Sequence, residues 1–297
     1  MSLTEPSEGA AASVEADKPP VLRLWDVRFG YHPPSAVLEH ATCTLETGSI
    51  CIMIGPNAAG KTTMIRLMLG LLAPWSGQVL LDGREVAGLS AAQRAAKVGY
   101  VPQGTHIPFA FNVHEVVEMG RHALDHDAAK VNWALQCCDL ASQRHRVFAE
   151  LSAGQQQRVL LARALAQVGA GVGQRGDGRV LLLDEPTSAM DLLHTHETMH
   201  ILQQQAQRGL AVLVVLHDLN LAARYADRIW LLHEGHLLRD AGWAEVLRPE
   251  VLEPVYGVRL TAHPLGGEGR PLFSAELTDT LRDEAPAPQR PSAEDAR

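Results

Sequence analysis

"SICIMIGPNAAGKTTMIRLMLGLL", residues 49 to 72, decides the fold. An apolar run the length of one buried strand leads into a loop bounded by Gly55 and Gly60, and an apolar-periodic helix follows. The loop, Gly55, Pro56, Asn57, Ala58, Ala59, Gly60, Lys61 and Thr62, fits G-x-x-x-x-G-K-[ST], with Thr63 directly after it. In this pattern the glycines permit a tight backbone path, and loop amides and the helix N-terminus face phosphate oxygens. Lys61 neutralises the β and γ oxygens, and the Thr62 hydroxyl can ligate Mg²⁺.

Working outward, "RVLLLDEPTSAMD" (179 to 191) has four apolar residues, Val180 to Leu183, that form a second buried strand ending in adjacent carboxylates. Asp184 can hold Mg²⁺. Glu185, at the carboxyl end of the sheet, can polarise a water attacking the γ-phosphate. The two motifs together predict a nucleoside triphosphatase with an α/β fold.

Between them lies "LSAGQQQRVLLARALA" (151 to 166), which by itself reads as a helix start with Ser152 as N-cap. In that position it resembles the signature motif of ABC-type ATPases. The resemblance implies that Ser152, Ala153, Gly154 and Gln155 present a helix N-terminus to the γ-phosphate held by a second subunit, in a head-to-tail homodimer. Tyr31 in "FGYHPPSAVL" then matches the aromatic that stacks on adenine, and Gln103 in "GYVPQG" matches the Q-loop glutamine that contacts Mg²⁺. Asp191 matches the D-loop aspartate linking the two sites. His217 in "VLVVLHDLN" matches the switch histidine at the γ-phosphate. ATP and Mg²⁺ are the implied cofactors. Ala58 and Ala153 stand where the family commonly has glycine, and alanine costs little there unless the backbone requires a positive φ.

The resemblance covers residues 21 to 263. It implies a mixed sheet flanked by helices, an antiparallel β subdomain within residues 21 to 90, and a helical signature subdomain over about 104 to 167. An N-terminal tail (1 to 20) and a C-terminal extension (264 to 297, disordered after about 277) are expected around it. "NVHEVVEMGR" and "LHDLNLAARYADRIWLLHEGHLL" look like the iron-chelate, haem and cobalamin importers, and the glycine-rich stretch 168 to 179 looks most like the haem-importer subunits. The implied role is the ATP-hydrolysing subunit of a haem importer, with ferric siderophore or cobalamin as alternative cargo. A cassette that binds ATP without turning it over is the further alternative that the two alanines leave open. The implied partners are two transmembrane permease subunits and, indirectly, a periplasmic haem-binding protein, with the chain peripheral on the cytoplasmic face of the inner membrane.

Composition sets the outer limits. Of the formal charge of −8, residues 1 to 20 and 278 to 297 carry −3 and −2, which leaves a core without the basic footprint of a nucleic-acid binder. No apolar run approaches the eighteen residues of a spanning helix. The first twenty residues carry acids where a secretory signal would be basic and then apolar, so a cytosolic location is expected. Cys43, Cys51, Cys137 and Cys138 make no C-x-x-C pair and read as reduced core thiols.

Two decoys remain. "HETMH" (196 to 200) has zinc-protease spacing but no third ligand free downstream, so its histidines are expected on a helix surface after Asp191. "GVGQRG" (171 to 176) has dinucleotide-fingerprint glycines, yet it follows a helix and precedes a strand. That order is reversed, and the stretch reads as a flexible insertion.

Overall fold

The computed structural model describes residues 20 to 104, 107, 109 to 171, 173 to 265 and 269 to 277. Of the tail read at residues 1 to 20, residues 1 to 19 lie outside the described residues, as does the segment after 277, whereas Pro20 already belongs to the first strand.

Three apolar runs build the centre. β3 (Ile50–Ile54), β7 (Val180–Asp184) and β8 (Ala211–Val215) are buried at every position, as parallel strands covered on both faces must be. With β6 (Val98–Val101), β9 (Arg228–His233) and β10 (His236–Gly242) they form a sheet of order β10-β9-β3-β8-β7-β6, in which only β10 runs antiparallel. Alternation along β3 divides two cores. Ile50, Ile52 and Ile54 face the helical side, whereas Cys51 and Met53 face a layer containing α1 (Lys61–Met68) and the second sheet.

That second sheet is antiparallel, of order β2-β1-β4-β5, from β1 (Pro20–Phe29), β2 (Leu38–Glu46), β4 (Ser76–Leu81) and β5 (Arg84–Glu85). The short helix α2 (Ala91–Lys97) leads from it to β6. The expected helical region contains α3 (Val113–Glu118), α4 (Ala128–Cys137) and α5 (Ala153–Val168). Asn112 and Ser152 each start their helix with a reciprocal capping box, to Glu115 and Gln155.

After β7 come α6 (Leu192–Gln207), α7 (Leu219–Tyr225), the short α8 (Trp243–Val246) and α9 (Pro249–Tyr256). The hairpin of β11 (Val258–Leu265) and β12 (Arg270–Leu277) closes the described chain. The boundary read at residue 263 falls inside β11. Asn220 on α7 fixes the hairpin by donating to Phe273 O at 3.2 Å and accepting from Phe273 N at 2.6 Å.

The described residues of the glycine-rich stretch between α5 and β7 are pinned rather than loose. Gly176 N donates to Arg208 O, Ala170 N to Gln205 Oε1, and Arg179 to the carbonyls of Val168 and Gly169. The guanidinium of Arg179 thereby satisfies orphan carbonyls at the C-terminus of α5. Among the described residues no helix is long and apolar enough to cross a membrane.

Candidate active site

Strand order assembles the site. β3, β8, β7 and β6 are neighbours, all parallel, so their carboxyl ends share one edge where α/β sheets place ligands. Register sharpens this: Met53 pairs with Val215, Val215 with Asp184, and Leu183 with Val101. The phosphate loop after β3, His217 two residues beyond Val215, Glu185 directly after Asp184, and Gln103 two residues beyond Val101 therefore converge.

The side chains complete the constellation. Thr62 Oγ1 donates to Asp184 Oδ2 at 2.9 Å. Glu185 receives Gln103 Nε2 on Oε2 at 2.6 Å, and its Oε1 lies 2.5 Å from His217 Nε2. Glu185 holds this position with a φ of 49°, a left-handed conformation unusual for a residue with a side chain. Lys61 Nζ donates to the carbonyls of Gly55 and Pro56, each at 2.8 Å, which leaves one of its three protons for a phosphate oxygen.

Burial tunes the charges. It holds the Lys61 ammonium below its usual range, and the carboxylates of Glu185 and Asp184 pull the other way. It also lifts Asp184 above the ordinary carboxylate range, against the hydrogen bond from Thr62 and with the added repulsion of Glu185.

Gly55 has no room for a side chain, because a Cβ would lie 2.1 Å from Leu232 O. Ala58 has a φ of 63°, so the alanine does occupy a left-handed position. Ala153 differs: it is the first residue of α5 behind the Ser152 cap, in ordinary helical backbone. The two departures from the family pattern are therefore unequal in physical terms.

Tyr31 follows β1, half exposed, with its hydroxyl 3.3 Å from Thr63 Oγ1 and accepting from Arg66 Nη1 at 3.1 Å. The Thr63 hydrogen bond holds its pKa below the ordinary phenol value. Reading the sequence did not single out Arg66. Its position one helical turn after Thr62 was the available signal.

Ser152, Gly154 and Gln155 do not join this cluster. They line a separate cleft of about 160 Å³ with Ala189, Met190 and Asp191, with Ala153 at the helix start beside them. A Cβ on Gly154 would meet Ala189 O at 2.8 Å, so glycine lets the helix start approach this backbone. Asp191 caps α6 through His194 N, and that backbone N–H holds its pKa below the ordinary value, assisted by the His194 ring. Gln157 was also missed. Buried on α5, it donates to Pro102 O at 3.0 Å and ties the signature helix to the turn carrying Gln103.

Neither decoy joins the site. His196 Nδ1 lies 2.8 Å from the Tyr225 hydroxyl and His200 Nε2 lies 2.9 Å from Gln204 Nε2, both on the outer side of α6.

A family model described as ABC transporter matches residues 38 to 188. The chain belongs to the ABC transporter family. The Hemin import ATP-binding protein HmuV of Pseudomonas fluorescens Pf-5 is 44% identical over 245 residues, covering 80% of this chain and 94% of that protein. The protein of the same name from Rhodopseudomonas palustris CGA009 is 40% identical over 256 residues, covering 86% and 95%. Among solved structures, one described as an inward-facing conformation of a "putative metal-chelate type ABC transporter" aligns with TM-score 0.71 at 25% identity, over 88% of this chain and 99% of that one. This ABC chain is thus an ATP-hydrolysing transporter subunit whose phosphate loop and paired carboxylates lie at the sheet edge just described.

Proposed function

We propose that this ABC subunit drives haem import as a head-to-tail homodimer beneath two transmembrane permease subunits, peripheral on the cytoplasmic face of the inner membrane. A periplasmic haem-binding protein supplies the cargo from the other side. One observation supports the dimer: within a chain the phosphate-loop cluster and the signature cleft are separate, which fits a reading in which a second copy completes each site. Relatives named for hemin import, 37 to 44% identical, support the cargo.

Thr62 Oγ1 and Asp184 Oδ2, 2.9 Å apart, are hard oxygen donors suited to Mg²⁺, and Gln103 keeps its carbonyl oxygen free because its amide nitrogen serves Glu185. Thr62, Asp184 and Gln103 would hold Mg²⁺ there, and the ion would offset the charge of the phosphate oxygens. Lys61 and the loop amides hold the phosphates while Tyr31 stacks on the adenine. Glu185 accepts the proton of the attacking water, ADP leaves, and His217 orients Glu185 and contacts the γ-phosphate. Ser152 to Gln155 of the partner copy close over that phosphate. Closure follows because ATP binds the closed dimer selectively, and cleavage removes the contacts that favoured it.

The test is ATP hydrolysis by the chain reconstituted with its permease, with and without haem-loaded binding protein. Stimulation by haem alone supports the reading. Stimulation by a ferric siderophore or cobalamin carrier replaces the cargo and keeps the motor, and the absence of hydrolysis overturns both.

A further inference from the structure

On the outer side of α6, a half-open cavity of about 720 Å³ lies between α6, α7 and β12, within the range of small-molecule sites. None of the roles above uses it. Both histidines of "HETMH" line it, one helical turn apart on α6. Among the described residues no cluster of three or more His, Cys, Asp or Glu could hold a metal ion, so a bare cation would lack ligands here. A metal that brings its own equatorial ligands needs far less: one axial imidazole, flat apolar walls, and cations for any peripheral carboxylates.

The cavity offers an imidazole, an exposed cation and some apolar surface. His196 Nδ1 lies 2.8 Å from the Tyr225 hydroxyl, and with that oxygen accepting from Nδ1–H, Nε2 keeps its lone pair for a metal. Leu192, Leu221, Pro271 and Leu272 give apolar surface. Arg224 is exposed, lies 5.9 Å over the Tyr225 ring and makes no ion pair among the described residues, whereas Arg270 is committed to the carbonyls of Ala223 and Ala226 and to the Trp243 ring. The one carboxylate lining the cavity, Asp218, is engaged with the amides of Asn220 and Leu221 at the start of α7.

We propose that this cavity binds an anionic iron porphyrin on the cytoplasmic side, with His196 as axial ligand, Tyr225 as its positioning residue and Arg224 at a carboxylate. The choice of ligand rests on the cargo proposed above. The experiment is a titration of the full-length chain with hemin, read by Soret absorbance. The expected result is saturable one-to-one binding with a histidine-ligated spectrum. His196→Ala loses that spectrum, Tyr225→Phe weakens affinity about tenfold, and His40→Ala, on β2 in the second sheet, changes neither. Binding without saturation, or an unchanged spectrum in His196→Ala, overturns the site. The titration requires neither permease nor hydrolysis. Absent binding alongside haem-stimulated hydrolysis removes the site and leaves the motor, whereas saturable binding without stimulation keeps the site and removes the cargo.

Discussion

Restoring glycine at the two alanine positions should have opposite effects. Ala58 sits at a φ of 63°, where a Cβ crowds the following carbonyl at a cost of roughly 1 to 2 kcal/mol. Ala58→Gly removes that strain, while the freer unfolded chain takes back about 0.5 to 1 kcal/mol. The net gain is about 0.5 to 1 kcal/mol. Ala153 begins α5 in helical backbone, so Ala153→Gly removes no strain and adds only the entropy term, a loss of about 0.5 kcal/mol. The same chemical change is therefore expected to separate the two variants by about 1 to 1.5 kcal/mol. Urea unfolding of both proteins, followed by circular dichroism with a common slope, measures the difference. Equal shifts, or a loss of stability in Ala58→Gly, would refute the strain assigned to the loop.

Gly154→Ala should be more harmful than either, since its Cβ would sit 2.8 Å from the Ala189 carbonyl; a loss of about 1 to 3 kcal/mol and weaker ATP-dependent association are expected, by unfolding and light scattering. Gln157→Leu leaves the Pro102 carbonyl without its donor and should cost about 1 to 3 kcal/mol, with turnover falling more than ATP affinity in kinetic assays. Lys130 is pushed down to about 8 by burial, with the nearby Arg179 and Arg121 charges adding to the effect. Between pH 8 and 10.5 the unfolded chain therefore holds a proton that the folded one has released, and stability rises with pH. Lys130→Met should raise the unfolding midpoint at pH 7, on the order of 1 kcal/mol after allowance for screening by water. That advantage should fade as pH rises through 8 toward 10.5, and a gain independent of pH would refute it.

The candidate edge was legible because its strands are short unbroken apolar runs: Asp184, Glu185, Gln103 and His217 lie within two positions of a strand end, and Lys61 closes the glycine-bounded loop that follows β3. "ICIMI", "VLLLD" and "AVLVV" leave no polar face, which forces a central parallel sheet, and its strand order brings Lys61, Asp184, Glu185, His217 and Gln103 to one place. Ser152 was legible as a cap for a local reason: hydroxyl and Gln155 lie three residues apart. What sequence left open depends on contacts between distant segments. The positive φ of Ala58 is set by the loop path, and alanine is compatible with many other conformations. The bond from Gln157 to Pro102 spans 55 residues. β12 reads as an ordinary mixed segment, "RPLFSAEL", until Asn220 clamps Phe273 from the other side. "HETMH" misleads for the converse reason: its spacing is local, whereas any metal function depends on what the fold brings opposite it.

The central claim is that Glu185 activates water at a site completed by a second copy of the chain. The most direct measurement compares wild type with Glu185→Gln for ATP hydrolysis and, in the same samples, for particle mass with MgATP. In Glu185→Gln, hydrolysis is expected to fall by about 10² to 10⁴, while ATP binding persists and the mass doubles to that of a dimer. Hydrolysis near the wild-type rate, or an ATP-loaded variant that stays monomeric, would contradict it.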